Sequence, residues 1–165
     1  MKYGTVLIVG DSMLNQLDEE RMSKASGKQV KVRSFGGANV ARLRDEKLAL
    51  LLKKKPEKVI LHVGTNDSTN KTSENIMNEL LQLKHHIEGQ LENCIVGFSL
   101  PIRRTDDSKA NLTIRRLNER MNLLKIHILT NYNIDEKCLG KKGHHMNPRG
   151  VARLAMNLRS LIRKL

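Results

Sequence analysis

Aromatic residues are nearly missing: two Tyr, two Phe and no Trp stand among 165 residues. The core must therefore be aliphatic, and the scarcity argues against gripping single-stranded nucleic acid by stacked rings. Cysteine is scarce as well. Cys94 and Cys138 are far apart and outside any metal-ligand spacing, so they read as free thiols of a reducing, intracellular compartment. No apolar run is long enough to span a bilayer. The N-terminus offers one lysine and then a strand-like run rather than a signal peptide. Repeats, low-complexity tracts and linkers are also missing, so residues 1–165 read as a single domain with a full core, compatible with excision from a longer protein. Acidic residues are the minority, 17 against 30 lysines and arginines, which leaves a formal charge of +13. That excess favours an anionic partner, whether nucleic acid, an anionic membrane surface or an acidic protein; the plainer alternative is a solvated basic surface.

What is present alternates. Residues 5–9 (TVLIV) and 59–63 (VILHV) are short apolar runs that end at glycine, the pattern of strands buried on both faces. Residues 30–35 and 94–100 read as two further strands, and a weaker fifth falls at 132–135. Between them, apolar residues recur at helical spacing over 38–54, 73–91 and 112–129, and again from Pro148 to the C-terminus. Thr72 suits an N-cap and Pro148 a first helical turn. Strands alternating with helices predict an α/β fold with a parallel sheet covered on both sides. In such sheets, sites form beyond the carboxyl ends of the strands. The rule selects Gly10-Asp11-Ser12, Gly36-Gly37 and Gly64-Thr65-Asn66-Asp67.

Each of these turns carries usable chemistry beside a plainer role. Ser12, just past the first strand, is a candidate nucleophile whose own N–H can face a developing oxyanion; the alternative is a simple helix cap. Gly37 can bring its N–H close to a substrate, or merely turn the chain. Asn66 offers a carboxamide donor of the oxyanion-hole type, or an Asn turn. Asp11 and Asp67 read as supports of the loops rather than as reacting groups. Among six histidines, His62 falls in a strand and reads as packed. His85 and His86 lie on a helix, and His127 near a helix end. His144 and His145 precede the last helix, where an imidazole can reach back toward Ser12 and shuttle its proton.

Taken together, the chain resembles the SGNH (GDSL-like) hydrolases, with their four blocks in order: Gly10-Asp11-Ser12, Gly37, Gly64-Thr65-Asn66-Asp67 and His145. The resemblance implies a three-layer α/β/α sandwich with a five-stranded parallel sheet, flavodoxin-like in layout. It implies a serine esterase acting on acetyl or short acyl esters, including lipid esters. Ser12 and His145 would be catalytic; the N–H groups of Ser12 and Gly37 and the Asn66 side chain would form the oxyanion hole. No metal or cofactor is implied. A narrower resemblance joins the basic charge and the segment 147–155 to esterase domains in first-reading-frame proteins of LINE-type retrotransposons, which self-associate through other regions.

One position departs from the family. Lys142 stands where an aspartate three residues before the histidine is usual, and a lysine cannot accept the imidazole hydrogen bond. Three outcomes remain open: a Ser–His dyad with a backbone carbonyl orienting His145, a substitute carboxylate at Asp135 or Glu136, or an impaired site. The impaired case leads to the rival reading, a basic domain that binds nucleic acid or anionic lipid. Its candidate contacts are Arg103, Arg104, Arg115 and Arg116 with Arg153, Arg159 and Arg163 of the last helix. A flavodoxin-like nucleotide binder is disfavoured, because no glycine-rich phosphate fingerprint follows the first strand.

Overall fold

The two faces of each strand bury different residues, and that alternation decides which helices cover which side. In the computed structural model, which describes residues 4–165, five strands form one sheet: β1 (Thr5–Gly10), β2 (Gln29–Ser34), β3 (Lys58–His62), β4 (Ile95–Ser99) and β5 (His127–Leu129). Their order is β2-β1-β3-β4-β5, and every pairing is parallel. Val6, Ile8 and Ile60 pack under α1 (Glu19–Ser26) and α6 (Pro148–Lys164), against Met22, Leu154, Leu158 and Leu161. On the opposite face, Leu7, Val9, Leu61 and Phe98 meet α2 (Val40–Arg42), α3 (Leu48–Leu52), α4 (Ser73–Gln90) and α5 (Ser108–Asn122) through Val40, Leu48, Leu83 and Leu117. The expected three-layer α/β architecture is borne out.

Four elements differ from expectation. The fifth strand is His127–Leu129, paired with Gly97–Ser99, not residues 132–135. That later segment is a loop in which Ile134 N–H donates to Asn131 C=O. Correspondingly, α5 starts at Ser108 and stops at Asn122. Leu124 and Ile128 continue the helical period of Ile114, Leu117 and Met121, yet the open edge of β4 recruits His127–Leu129 into the sheet. Residues 38–54 are not one helix: α2 leads through a π-helical turn, Leu43–Lys47, into α3. Finally, α1 escapes the periodicity because it buries only Met22. Its signals are its ends, with Asp18 capping Arg21 N–H and Gly27 left-handed at φ +70°.

Pro148 begins α6, and Asn147 accepts from Gly150 N–H at 3.0 Å as its cap. Among the described residues, no helix is long and apolar enough to cross a membrane.

Candidate active site

At the end of β1 the chain has no room for a side chain. A Cβ on Gly10 would lie 1.9 Å from the His62 carbonyl oxygen, so only glycine lets β1 and β3 stay paired to their last residue. Asp11 N–H then donates to that same carbonyl at 3.2 Å, and Ser34 Oγ donates to Asp11 C=O at 2.9 Å. Asp11 caps the following 3-10 turn, Ser12–Leu14, by accepting Met13 N–H at 3.0 Å. These contacts hold Ser12, half-buried, at the carboxyl edge of the sheet.

The Gly36-Gly37 turn is braced by Arg42, whose Nη1 donates to Gly36 C=O at 3.0 Å. Gly37 has φ +72° and open space where a Cβ would stand, so its role is a left-handed turn with an uncovered N–H. Asn66 Nδ2 donates to Ala38 C=O at 2.9 Å, and Asp67 Oδ2 accepts Val40 N–H at 3.1 Å. Lys71 Nζ reaches Asp67 Oδ1 at 3.0 Å and Glu79 at 2.9 Å. Asp67, with a fully buried side chain, thus ties the Asn66 loop to the Gly37 loop. Among the described residues, Ser12 N–H and Gly37 N–H donate to nothing, and one Asn66 amide hydrogen is left over.

His145 comes from a loop closed by backbone bonds. Gly140 N–H donates to His145 C=O at 2.7 Å, and Thr105 N–H to Gly143 C=O at 2.8 Å. Ser12 and His145 line one cleft of about 110 Å³ with Asn15, Gln16 and Val151. No hydrogen bond joins their side chains; such bonds are often loose before substrate arrives. The His144 ring stands 4.5 Å from that of His145. Burial, then the charges of Arg104 and His145, holds the His144 pKa below the usual value, with Asp106 opposing.

The structure gathers Ser12, Gly37, Asn66 and His145 at one edge, with Asp11 and Asp67 beneath them. It does not bring Asp135 to His145. The Asp135 carboxylate accepts Lys137 N–H at 3.0 Å and lies 3.9 Å from Arg153, and it caps the turn Glu136–Cys138. Glu136 is exposed, and neither it nor a backbone carbonyl bonds the His145 ring. Lys142 is exposed as well. The arginines divide. Arg103, Arg104 and Arg115 line one pocket, Arg115 is exposed like Arg116 and Arg163, Arg153 donates to Asn133 C=O, and Arg159 Nε is buried with no partner among the described residues. His62 is packed as expected, 2.8 Å from Ser99 Oγ, whereas His127 lies on β5 rather than at a helix end. The Arg42 brace and the pairing of Lys71 with Asp67 and Glu79 were not anticipated; the i, i+4 spacing of Asp67 and Lys71 is the one signal, and it points to that pair alone.

Two buried groups near the site titrate in opposite senses. Burial pushes the Asp11 carboxyl from 3.8 up to about 6; the Met13 N–H and the charge of His145 oppose this, and Asp67 adds to it. Burial pushes His62 from 6.5 down to about 4. Between pH 3.8 and 6 the unfolded chain loses the Asp11 proton first, so stability falls as pH rises. Between pH 6.5 and 4 the unfolded chain gains the His62 proton first, so stability falls as pH drops. The two nearly cancel in the wild type. Asp11→Asn should remove one and expose the other, giving a loss of about 3 kcal/mol on acidification from pH 6.5 to 4. Urea midpoints across that range test this; parallel profiles for the two proteins would refute it.

No protein-family profile matches the chain, and no curated protein matches it. Solved structures do. A carbohydrate esterase family 3 protein from Talaromyces cellulolyticus superposes with a TM-score of 0.79 at 15% identity, covering 98% of this chain and 99% of that one. An acetyl esterase mutant with acetate ion gives 0.77 at 16% identity, covering 98% and 99%. A member of the lipolytic protein G-D-S-L family from Veillonella parvula DSM 2008 gives 0.74 at 16%, with the same coverage. At identities this low the superpositions show a shared fold alone.

Proposed function

We propose that this chain is a serine ester hydrolase of the GDSL (SGNH) kind, acting on short acyl esters of acetyl size. The observation that carries the reading is one cleft of about 110 Å³ that holds both Ser12 and His145, at the edge where Ser12 N–H and Gly37 N–H are unengaged. Ser12 Oγ attacks the acyl carbon while His145 takes its proton. The carbonyl oxygen, now negative, is held by Ser12 N–H, Gly37 N–H and Asn66 Nδ2. His145 then protonates the departing alcohol, and water, deprotonated by His145, releases the acid from Ser12. Above about pH 6 Asp11 is ionised beneath the site. The size of the cleft and the acetate-bound neighbour both support a small acyl group.

Asn66→Ala should lower kcat for 4-nitrophenyl acetate by about 10²- to 10³-fold, the usual cost of losing one oxyanion donor. Turnover should fall as the acyl chain of the substrate lengthens. Wild-type hydrolysis no faster than buffer, or an unaffected Asn66→Ala enzyme, would refute the proposal.

The lack of a hydrogen-bond partner for the His145 ring among the described residues and the +13 charge favour a second reading: an impaired scaffold serving as a basic nucleic-acid- or anionic-lipid-binding domain. The sequence likeness of 147–155 to LINE-type first-reading-frame esterase domains supports placing it in such a self-associating protein. Salt-dependent RNA or liposome binding without any ester turnover would favour it.

A further inference from the structure

The excess of positive charge is not spread evenly around the sheet edge. The loops after β4 and β5 and the first half of α5 enclose a pocket of about 250 Å³, lined by Arg103, Arg104 and Arg115. Asn111, Ile114, Arg115 and Asn118 fall at i, i+3, i+4 and i+7 of α5, so one helix face forms a wall. Arg104 is built in: its side chain is 10% exposed and grips Asp106 through Nε at 2.9 Å and Nη2 at 2.8 Å. Arg103 is steadied by one hydrogen bond, Nη2 to Tyr132 C=O at 3.1 Å. Neither Arg103 nor Arg115 has an acidic partner among the described residues. Asn111 Oδ1 accepts Arg104 N–H at 2.8 Å, which leaves its amide hydrogens free.

The lining narrows the ligand chemistry. Asn118 lines the pocket but is 3% exposed: its Nδ2 donates to Pro101 C=O and Ile114 C=O, and its Oδ1 is shielded from solvent. The groups left for a ligand are therefore guanidinium and amide donors. They match a phosphate monoester, which carries about −1.5 to −2 charges near neutral pH and presents three oxygens to planar arginine forks. A carboxylate brings one charge and two oxygens to the same donors. The exposed Glu136 is the one acidic residue in the lining; with Arg104 matched by Asp106, Arg103 and Arg115 still outnumber it.

We propose that this pocket is a binding site for the phosphate group of a small molecule, either free or carried by the ester that Ser12 hydrolyses. The site stands apart from the esterase reading, since binding needs no turnover. Its position gives the second source weight: Thr105, which lines the pocket, bonds to Gly143 of the histidine loop at 2.8 Å.

The test uses the whole chain at low ionic strength with inorganic phosphate as the probe, followed by the shift of arginine and α5 backbone NMR signals. Arg115→Ala and Arg103→Ala should each weaken binding by about tenfold or more, the worth of a charge-assisted hydrogen bond. Arg116→Ala removes the same charge one residue away, outside the pocket, and should leave binding unchanged. Equal losses for Arg115→Ala and Arg116→Ala would reduce the effect to net charge and overturn the site, as would no binding at all. A second arm compares hydrolysis of acetylated glycerol with acetylated glycerol 3-phosphate. A lower KM for the phosphorylated ester, lost in Arg115→Ala, identifies the substrate as the source; equal KM values together with phosphate binding identify the free anion.

Discussion

Ser12→Ala should abolish nearly all hydrolysis of short acyl esters, a fall of at least about 10³-fold in kcat, while leaving fold and stability unchanged. Removing a serine nucleophile leaves only what the oxyanion donors and binding contribute. The fold has little reason to respond. Ser12 Oγ makes no hydrogen bond among the described residues, so its loss leaves no buried group unpaired. The turn around it is held by other atoms: Asp11 caps Met13 N–H, and Asn15 N–H donates to Ser12 C=O at 3.1 Å, a contact alanine preserves. A kinetic loss with an unchanged urea midpoint is therefore expected. Equal rates for the two proteins would remove Ser12 from the chemistry.

Lys142→Asp should raise kcat by at least about tenfold. Loss of the orienting acid in a serine triad costs on the order of 10⁴-fold, and here no described residue supplies one. Asp135 is committed to Lys137 N–H and Arg153. The exposed side chain at 142 can be exchanged without disturbing the core. An aspartate there can accept the imidazole N–H, fix its tautomer and stabilise the imidazolium. Lys142→Ala separates this from mere removal of a positive charge, and should gain far less. Equal gains for both would mean that the lysine's charge, rather than the missing acid, limits the reaction.

Much of the fold was legible because the central strands are buried on both faces and announce themselves as apolar runs, closed by glycine at β1 and β3 and by Pro101 after β4. The edges were not. β5 is three residues long, and its Ile128 satisfies a helical period from Ile114 as well as a strand. Only the unpaired edge of β4, a tertiary fact, decides between them. The site was legible in its turns: Ser12, Gly37 and Asn66 each follow a strand, and the sheet rule puts them on one edge. What holds them there was not. The bonds from Asn66 to Ala38 and from Asp67 to Val40 span 28 and 27 residues, and spacing along the chain carries no trace of them. Charge showed the same limit. Arg115 and Arg116 are indistinguishable in sequence, yet one lines a pocket and the other does not.

The central claim is that Ser12 is an activated nucleophile, and the most direct measurement is labelling by a serine-directed fluorophosphonate, mapped by peptide mass spectrometry. The account predicts one label, on Ser12, lost in Ser12→Ala and strongly slowed in His145→Ala. A label on another serine, or wild-type ester turnover that persists with Ser12 unmodified by the reagent, would contradict it.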